Sequence, residues 1–574
     1  MPASTLQKPE LSDKPIRWFL LCWTIFNAIQ AYTLEVHADE AYYWMYSKFM
    51  DWGYFDHPPM VALFIWLGDH VMHNELGLRL ITVLTSTTAI YLLWLMLKKY
   101  MVDALLFILV VSSMLIIHMY GFTTTPDAPL FFFTVVFYYL YQKYIEDDSW
   151  LLATLLGVVV ACLMYSKYHA ILVIGLTLAS NIKLLKRGTF WGIVVIALVL
   201  FIPHIIWQFQ HSFPSFKYHL HDRSATVYNP ENTYTYIPGQ LLMAGPVVGW
   251  FLFYSAFKIK VKDAFIRGLL VNCVGAFIFF LLSTFRGEAQ PHWTLIAFAP
   301  LAMLALIRFN QVKTIPRWFY TAAIINVVLI LFIRVSLMFG FAFVSRVGQL
   351  KSYYGYKQWA QQVKSKAGDN YMIMNDGFQD PSKYNYYTNS IRAYSYDSRY
   401  YRLTQYDIWP IEEQFQGKSV YFLQDSPQEE TVDTITNTST KINWYVQWVN
   451  DARTYQKIAI ETDEKSVKLS AGQKQTIALT ITNPYPYMVN FSNQATKQTV
   501  TLEACFFKND AIVAILPADN SFYNLILKPG ESKRFNFTIA APTIEKGNYE
   551  LLFSIRTTPF SGGKNSRLIP FTLD

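Results

Sequence analysis

The ionisable side chains of this chain gather in short stretches at the ends of apolar runs. The first stretch carries His37, Asp39 and Glu40, then Asp56 and His57 ahead of Pro58 and Pro59. A second carries Asp127 between Pro126 and Pro129, whose fixed φ holds the backbone around it. The segment KYHLHDRS supplies His219, His221, Asp222 and Arg223, and FRGEAQPHW supplies Arg286, Glu288 and His292. A carboxylate can accept the proton of an incoming nucleophile. Imidazole, guanidinium or a bound metal ion can neutralise a departing phosphate. The kit therefore suits transfer of a group away from a phosphate. Taken singly, most of these residues read as solvated loop positions. Asp39 and Asp127 stand apart because each abuts an apolar run, where a charge is costly and marks a site by default.

The elements that must position these residues are membrane helices. Of 574 residues, 53% are hydrophobic and 15% charged, a balance that excludes an ordinary soluble chain. Runs long enough to span a bilayer fall at about 16–35, 77–97, 103–120, 128–145, 150–166, 168–185, 190–209, 237–257, 264–284, 292–309 and 318–342, which predicts about eleven transmembrane helices. Lys98 and Lys99, then Lys183, Lys186 and Arg187, then Lys258, Lys260 and Lys262, then Arg308, Lys313 and Arg317 follow alternate spans. All fall on one side if the N-terminus is cytoplasmic. The net charge of +8 is thus a topology signal, and no nucleic-acid partner is expected. Residues 36–76, 121–127, 210–236 and everything after about 343 are placed outside, so the stretches named above share one face. Within the first loop, Ala38 to Met50 and Pro59 to Met72 read as helices lying in the membrane interface. The first run lacks a following cleavage site and reads as a retained span. Cys22, Cys162, Cys273 and Cys505 suggest neither a disulfide framework nor zinc.

Three regions are expected: a transmembrane region over 1–342, an extracytoplasmic α/β module over 343–452, and an Ig-like antiparallel β-sandwich over 453–574. Alternating strands separated by Gly and Asn turns mark the last of these. The segments LSAGQKQTIALTI and LKPGESKRFNFTI within it resemble each other. No catalytic constellation is visible after 343, so an accessory role is expected there.

The stretches HADEAYYWMYSKFMDWGYFDHPPMVALFIWLGDHV, ELGLRLITVLTS and TTTPDAPLFFFTVVFYYLY together resemble the dolichyl-phosphate-mannose–protein mannosyltransferase-like family, which includes bacterial aminoarabinose transferases acting on lipid A. The resemblance covers roughly 16–342. It implies the GT-C fold, a multi-pass helical membrane protein of the inner (plasma) membrane, and sugar transfer with inversion from a polyprenyl-phosphate donor. It also implies the residue roles. Asp39 matches the catalytic base, with Glu40 beside it, and Asp127 supports the same site. FDHPP is similar to a stretch reading FEKP in the aminoarabinose transferases. There Asp56 takes the acidic, metal-binding place, and His57 stands where a lysine contacts the carrier phosphate. His219 or His221 matches a metal-binding histidine, and Arg223 a phosphate-gripping arginine. Arg286, Glu288 and His292 would face the donor, with Arg286 and His292 on its phosphate. A divalent metal ion is the implied cofactor. The implied partners are the lipid-linked donor, membrane lipids, and an acceptor that is a glycolipid, a protein or a cell-envelope glycan. A transporter is the competing class. It would place ionisable groups near the bilayer midplane, whereas here they gather at one face. A membrane-anchored adhesion protein would need far fewer spans.

Overall fold

The structure, a computed structural model, describes residues 13–219, 228–312, 314–345, 347–494 and 496–574. His221, Asp222 and Arg223 lie outside the described residues. The chain divides into two compact units between Tyr354 and Gly355.

The first unit is helical. Its elements are α1 (Lys14–Thr33), α2 (Ala38–Lys48), α3 (Met60–Val71), α4 (Glu75–Lys98), α5 (Ala104–Ser113), α6 (Leu115–Met119), α7 (Asp127–Glu146), α8 (Trp150–Ser166), α9 (Ala170–Ser180), α10 (Gly188–Gln210), α11 (Pro214–Lys217), α12 (Pro230–Tyr234), α13 (Tyr236–Ala244), α14 (Gly249–Phe257), α15 (Ala264–Ser283), α16 (Leu295–Gln311) and α17 (Arg317–Met338). Asn74, Asp103, Ser149 and Asp263 cap α4, α5, α8 and α15 by accepting a backbone N–H with their side chains. Helix α16 is the core, with almost every side chain from Leu295 to Phe309 buried. By contrast, α10 turns Val195, Leu198, Val199, Ile202, Ile205 and Ile206 outward. An apolar face with no protein partner is what a lipid-facing helix requires.

The chain is a multi-pass membrane protein. Among the described residues five helices are long and apolar enough to cross a membrane, and two bent pairs raise the number to as many as seven. Each expected run coincides with a helix, but the count of about eleven is not reached on these criteria. The run after Val102 breaks at Met114 into helices of 10 and 5 residues, and the one after His169 gives 11 residues. A bend of 89° separates α1 from α2, so the expected helix from Ala38 is present as a distinct element. A second bend, of 94°, separates α13 from α14 at Gly245, whose φ of +141° favours glycine.

The second unit opens with an α/β sheet of order β2–β1–β3–β5–β4. Its strands are β1 (Tyr371–Asn375), β2 (Ala393–Tyr396), β3 (Val420–Gln424), β4 (Asp433–Thr436) and β5 (Asn443–Val449). The first three are parallel, and β5 is antiparallel to β3. Trp359, Ala360 and Val363, from the helix Tyr356–Ala367, pack with Met372, Leu423 and Val446 over one face.

Ten further strands follow: β6 (Ala459–Glu461), β7 (Val467–Leu469), β8 (Lys474–Thr482), β9 (Val489–Asn490), β10 (Val500–Lys508), β11 (Ala511–Pro517), β12 (Ile526–Leu527), β13 (Ser532–Ala540), β14 (Gly547–Thr557) and β15 (Ile569–Leu573). The sheets β11–β10–β14–β15–β7 and β13–β8–β6 enclose one core that includes Ile477, Leu479, Phe506, Phe537 and Phe553. The two segments that resemble each other in sequence are β8 and β13, which pair antiparallel along their whole lengths. One expectation fails: the sheets are not purely antiparallel, because β7 runs parallel to β15. These two strands are far apart in the chain, so no hairpin dictates their direction.

Buried polar groups join the two parts of this unit. Glu412 accepts hydrogen bonds from the Gln456 amide at 2.8 Å, the Tyr485 hydroxyl at 2.7 Å and Thr454. Glu503 on β10 pairs with Arg399 at 2.5 Å and Arg556 at 2.7 Å.

Candidate active site

The site begins at the bend after α1. His37 has extended backbone and caps α2: its Nδ1 accepts from the Asp39 amide at 3.3 Å, while Glu40 accepts from the His37 amide at 2.9 Å. This reciprocal cap fixes the first turn of α2. Neighbouring helix positions differ by 100°, so the two acids diverge. Glu40 points inward and is fully buried. It takes two hydrogen bonds from Arg79, at 2.8 and 2.5 Å, and one from the Thr124 amide at 2.9 Å. Arg79 in turn donates to the carbonyls of Ala31, Leu34 and Glu35, which tie off the end of α1. Glu40 is thereby committed to holding Arg79 and the Thr124 amide, while the sequence expects it beside the catalytic base. Asp39 keeps a carboxylate that is 45% exposed and lies 3.5 Å from His37.

The loop bearing Asp56 and His57 is held by α10 and α11. His204 bonds the Trp52 carbonyl at 2.7 Å, and Trp207 donates to Asp51 at 2.8 Å. Gln208 donates to Ser215 at 2.7 Å, and Ser215 donates to the Tyr54 carbonyl at 2.8 Å. The loop lies so close to α10 that a Cβ on Gly53 would stand 2.5 Å from the Trp207 ring. Asp56 is buried, and the ring of His57 packs near those of Tyr43 and His219.

Asp127 starts α7 and is buried. Lys167, in the connection between α8 and α9, donates to both of its carboxylate oxygens at 2.9 Å. His292 lies 3.9 Å from the same carboxylate.

These parts meet around Tyr43 on α2. Its phenol is fully buried, and burial together with the negative fields of Asp39, Asp56 and Asp127 pushes its pKa well up. The fields of acids from the first stretch and of Asp127 from the second therefore reach one side chain. Lys167, Arg79 and Tyr43 were not singled out from the sequence. Arg286 and Glu288 share a loop with His292 but keep exposed side chains, and it is His292 that reaches Asp127.

The implied metal fits poorly. His219 directs Nε2 to the Asp56 backbone carbonyl at 2.9 Å, so that nitrogen carries a proton and is not a free ligand. Among the described residues no three His, Cys, Asp or Glu side chains are arranged to hold a metal ion. Asp56 and His219 are brought together by this bond, and His221, the alternative ligand expected from the sequence, lies outside the described residues.

Residues 56–207, which contain Asp56, Asp127 and Lys167, match the model of the dolichyl-phosphate-mannose-protein mannosyltransferase family. The chain is also similar to ArnT from Cupriavidus metallidurans in the apo state, with a TM-score of 0.56 and 14% identity over 75% of this chain and 97% of that one. ArnT from the same organism bound to undecaprenyl phosphate gives a TM-score of 0.54 and 12% identity over 76% and 98%. At these identities the likeness is one of fold. No curated protein sequence matches the chain.

Proposed function

We propose that the mannosyltransferase-like unit transfers a sugar from a polyprenyl-phosphate carrier to an acceptor at the outer face of the cytoplasmic membrane. One observation carries this reading: the buried Asp127 carboxylate holds the Lys167 ammonium at 2.9 Å with His292 3.9 Å away, and the His57 ring packs on Tyr43 of the helix that bears the exposed acid Asp39. The family of the segment 56–207 supports it, as does the shared fold with a protein crystallised with undecaprenyl phosphate.

Asp39 is the general base, because it is the exposed acid of the group and sits next to an imidazole. It takes the proton of an acceptor hydroxyl as that oxygen bonds to the anomeric carbon from the face opposite the phosphate. The bond from the anomeric carbon to the phosphate oxygen breaks, and its electron pair leaves with polyprenyl phosphate. Inversion follows from this single displacement. Lys167, His57 and His292 balance the charge that develops on the leaving group, and Asp127 fixes the Lys167 ammonium. Glycolipid, protein and cell-envelope glycan all fit as acceptors.

The test is incubation of the purified protein with a panel of polyprenyl-phosphate sugars, measuring free polyprenyl phosphate. Release from at least one donor is expected. No release from any donor, with any of the three acceptor classes present, would overturn the proposal.

A further inference from the structure

We infer that the second unit has its own binding site for a neutral saccharide, at the carboxyl ends of its parallel strands. Strand β1 lies at the centre of the parallel set, between β2 and β3. The chain leaves β1 toward β2 on one side, and leaves β3 toward β4, at the opposite edge of the sheet, on the other. The connections diverge at their carboxyl ends, which opens a crevice between β1 and β3. Ligands of open α/β sheets occupy this position. A cavity of about 390 Å³ lies there, lined by Asn375 and Asp376 after β1 and by Gln424, Asp425, Ser426 and Gln428 after β3. Its volume is in the range of small-molecule sites.

The cavity has a built wall on its far side. Pro559 and Ser561, from the connection after β14, complete the lining. Between them, Phe560 is buried against the rings of Tyr396 and Phe422, with centroids 5.1 and 4.9 Å away. The Gly562 carbonyl accepts from the Arg399 amide at 2.8 Å, and Gly562 has a φ of +94° that favours glycine. The wall is therefore fixed before any ligand arrives.

The lining chooses the ligand's chemistry. Gln424 is only 8% exposed, yet its Nε2 has no hydrogen-bond partner among the described residues. The buried Oδ1 of Asn375 also has none. Two residues that line one cavity thus carry an orphaned donor and an orphaned acceptor, which a group that accepts and donates at once would satisfy, and a hydroxyl does both. Asp376 and Asp425 disfavour anions. No lysine, arginine or histidine lines the cavity among the described residues, so phosphate and uronate are disfavoured. Among uncharged ligands a polyol fits this lining, and a saccharide presents several such hydroxyls on a rigid ring. The site is separate from the cluster around Tyr43 and stands whether or not the first unit transfers sugar.

The experiment uses the full chain in lipid nanodiscs free of sugar detergents. Saturation-transfer NMR is recorded with maltotriose, chitotriose, glucuronate and inorganic phosphate. Transfer to at least one neutral saccharide and none to the two anions is expected. Gln424→Leu and, independently, Ser561→Trp at a half-buried lining position should weaken binding about tenfold or more, as loss of a buried hydrogen bond or blockage of the cavity requires. Asp39→Asn should leave it unchanged. Absence of any saccharide signal, equal binding by Ser561→Trp, or loss of the signal in Asp39→Asn would each overturn the inference.

Discussion

Lys167 holds its ammonium 2.9 Å from both oxygens of Asp127, and both side chains are almost wholly buried. The pair joins the start of α7 to the connection after α8, so it sets the spacing of two stretches that border Tyr43. A buried ion pair contributes little net stability when intact, but breaking one side strands a charge. Lys167→Met is therefore expected to lower stability by about 3–5 kcal/mol and to remove donor turnover. Adding Asp127→Asn to Lys167→Met should recover much of the stability and none of the turnover. Thermal unfolding of the two variants in lipid, together with their turnover, checks this. Equal stability of the two variants would count against the pair.

Glu40 and Asp39 are adjacent in sequence and opposite in character. With all its described partners in the protein interior, Glu40 is expected to matter for folding. Glu40→Gln removes the charge that compensates Arg79 and should cost about 3–5 kcal/mol, seen as a lowered unfolding temperature. Asp39→Asn alters an exposed side chain and should shift stability by no more than about 0.5 kcal/mol. A stability loss of similar size in both variants would show that the two acids share one structural role.

Much of this arrangement was legible in the sequence, and the remainder was hidden for physical reasons. Apolar runs of 20 residues announce helices, and acids beside such runs announce a site, so Asp39 and Asp127 stood out. The Asp-Glu pair did not reveal which acid faces inward, because that depends on where Arg79 lies, on a helix distant in the chain. A signal was present, since an arginine inside the run 77–97 requires an acidic partner. Lys167 reads as a linker between two apolar runs. Its clue was that the alternation of spans puts it on the side where lysines are sparse. The β-sandwich showed in the period-two alternation, but the parallel pairing of β7 with β15 did not, since alternation carries no information on strand direction.

In the second unit Asp397 and Asp407 are buried side by side. Burial and the neighbouring carboxylate raise the pKa of Asp407 well above the ordinary value, and burial raises that of Asp397. A carboxyl raised in the folded state binds its proton more tightly than the unfolded chain does. Its contribution to stability is complete below the unfolded value of about 4 and is lost as pH rises through the folded value. The unit should therefore lose stability from mildly acidic toward alkaline pH. Asp407→Asn keeps an acceptor for the Thr404 amide, now bonded at 2.7 Å, and removes the titration. It is expected to raise the unfolding temperature at pH 8 and to match the wild type near pH 4. Parallel curves for the two proteins across this range would contradict the assignment.

The most direct measurement compares turnover of the wild type and Asp39→Asn on a polyprenyl-phosphate sugar that the wild type consumes. Loss of a general base should lower kcat by about 10²–10⁴-fold, with donor affinity and unfolding temperature unchanged. Wild-type kcat in Asp39→Asn would contradict the claim that carboxylates gathered around Tyr43 carry the transfer.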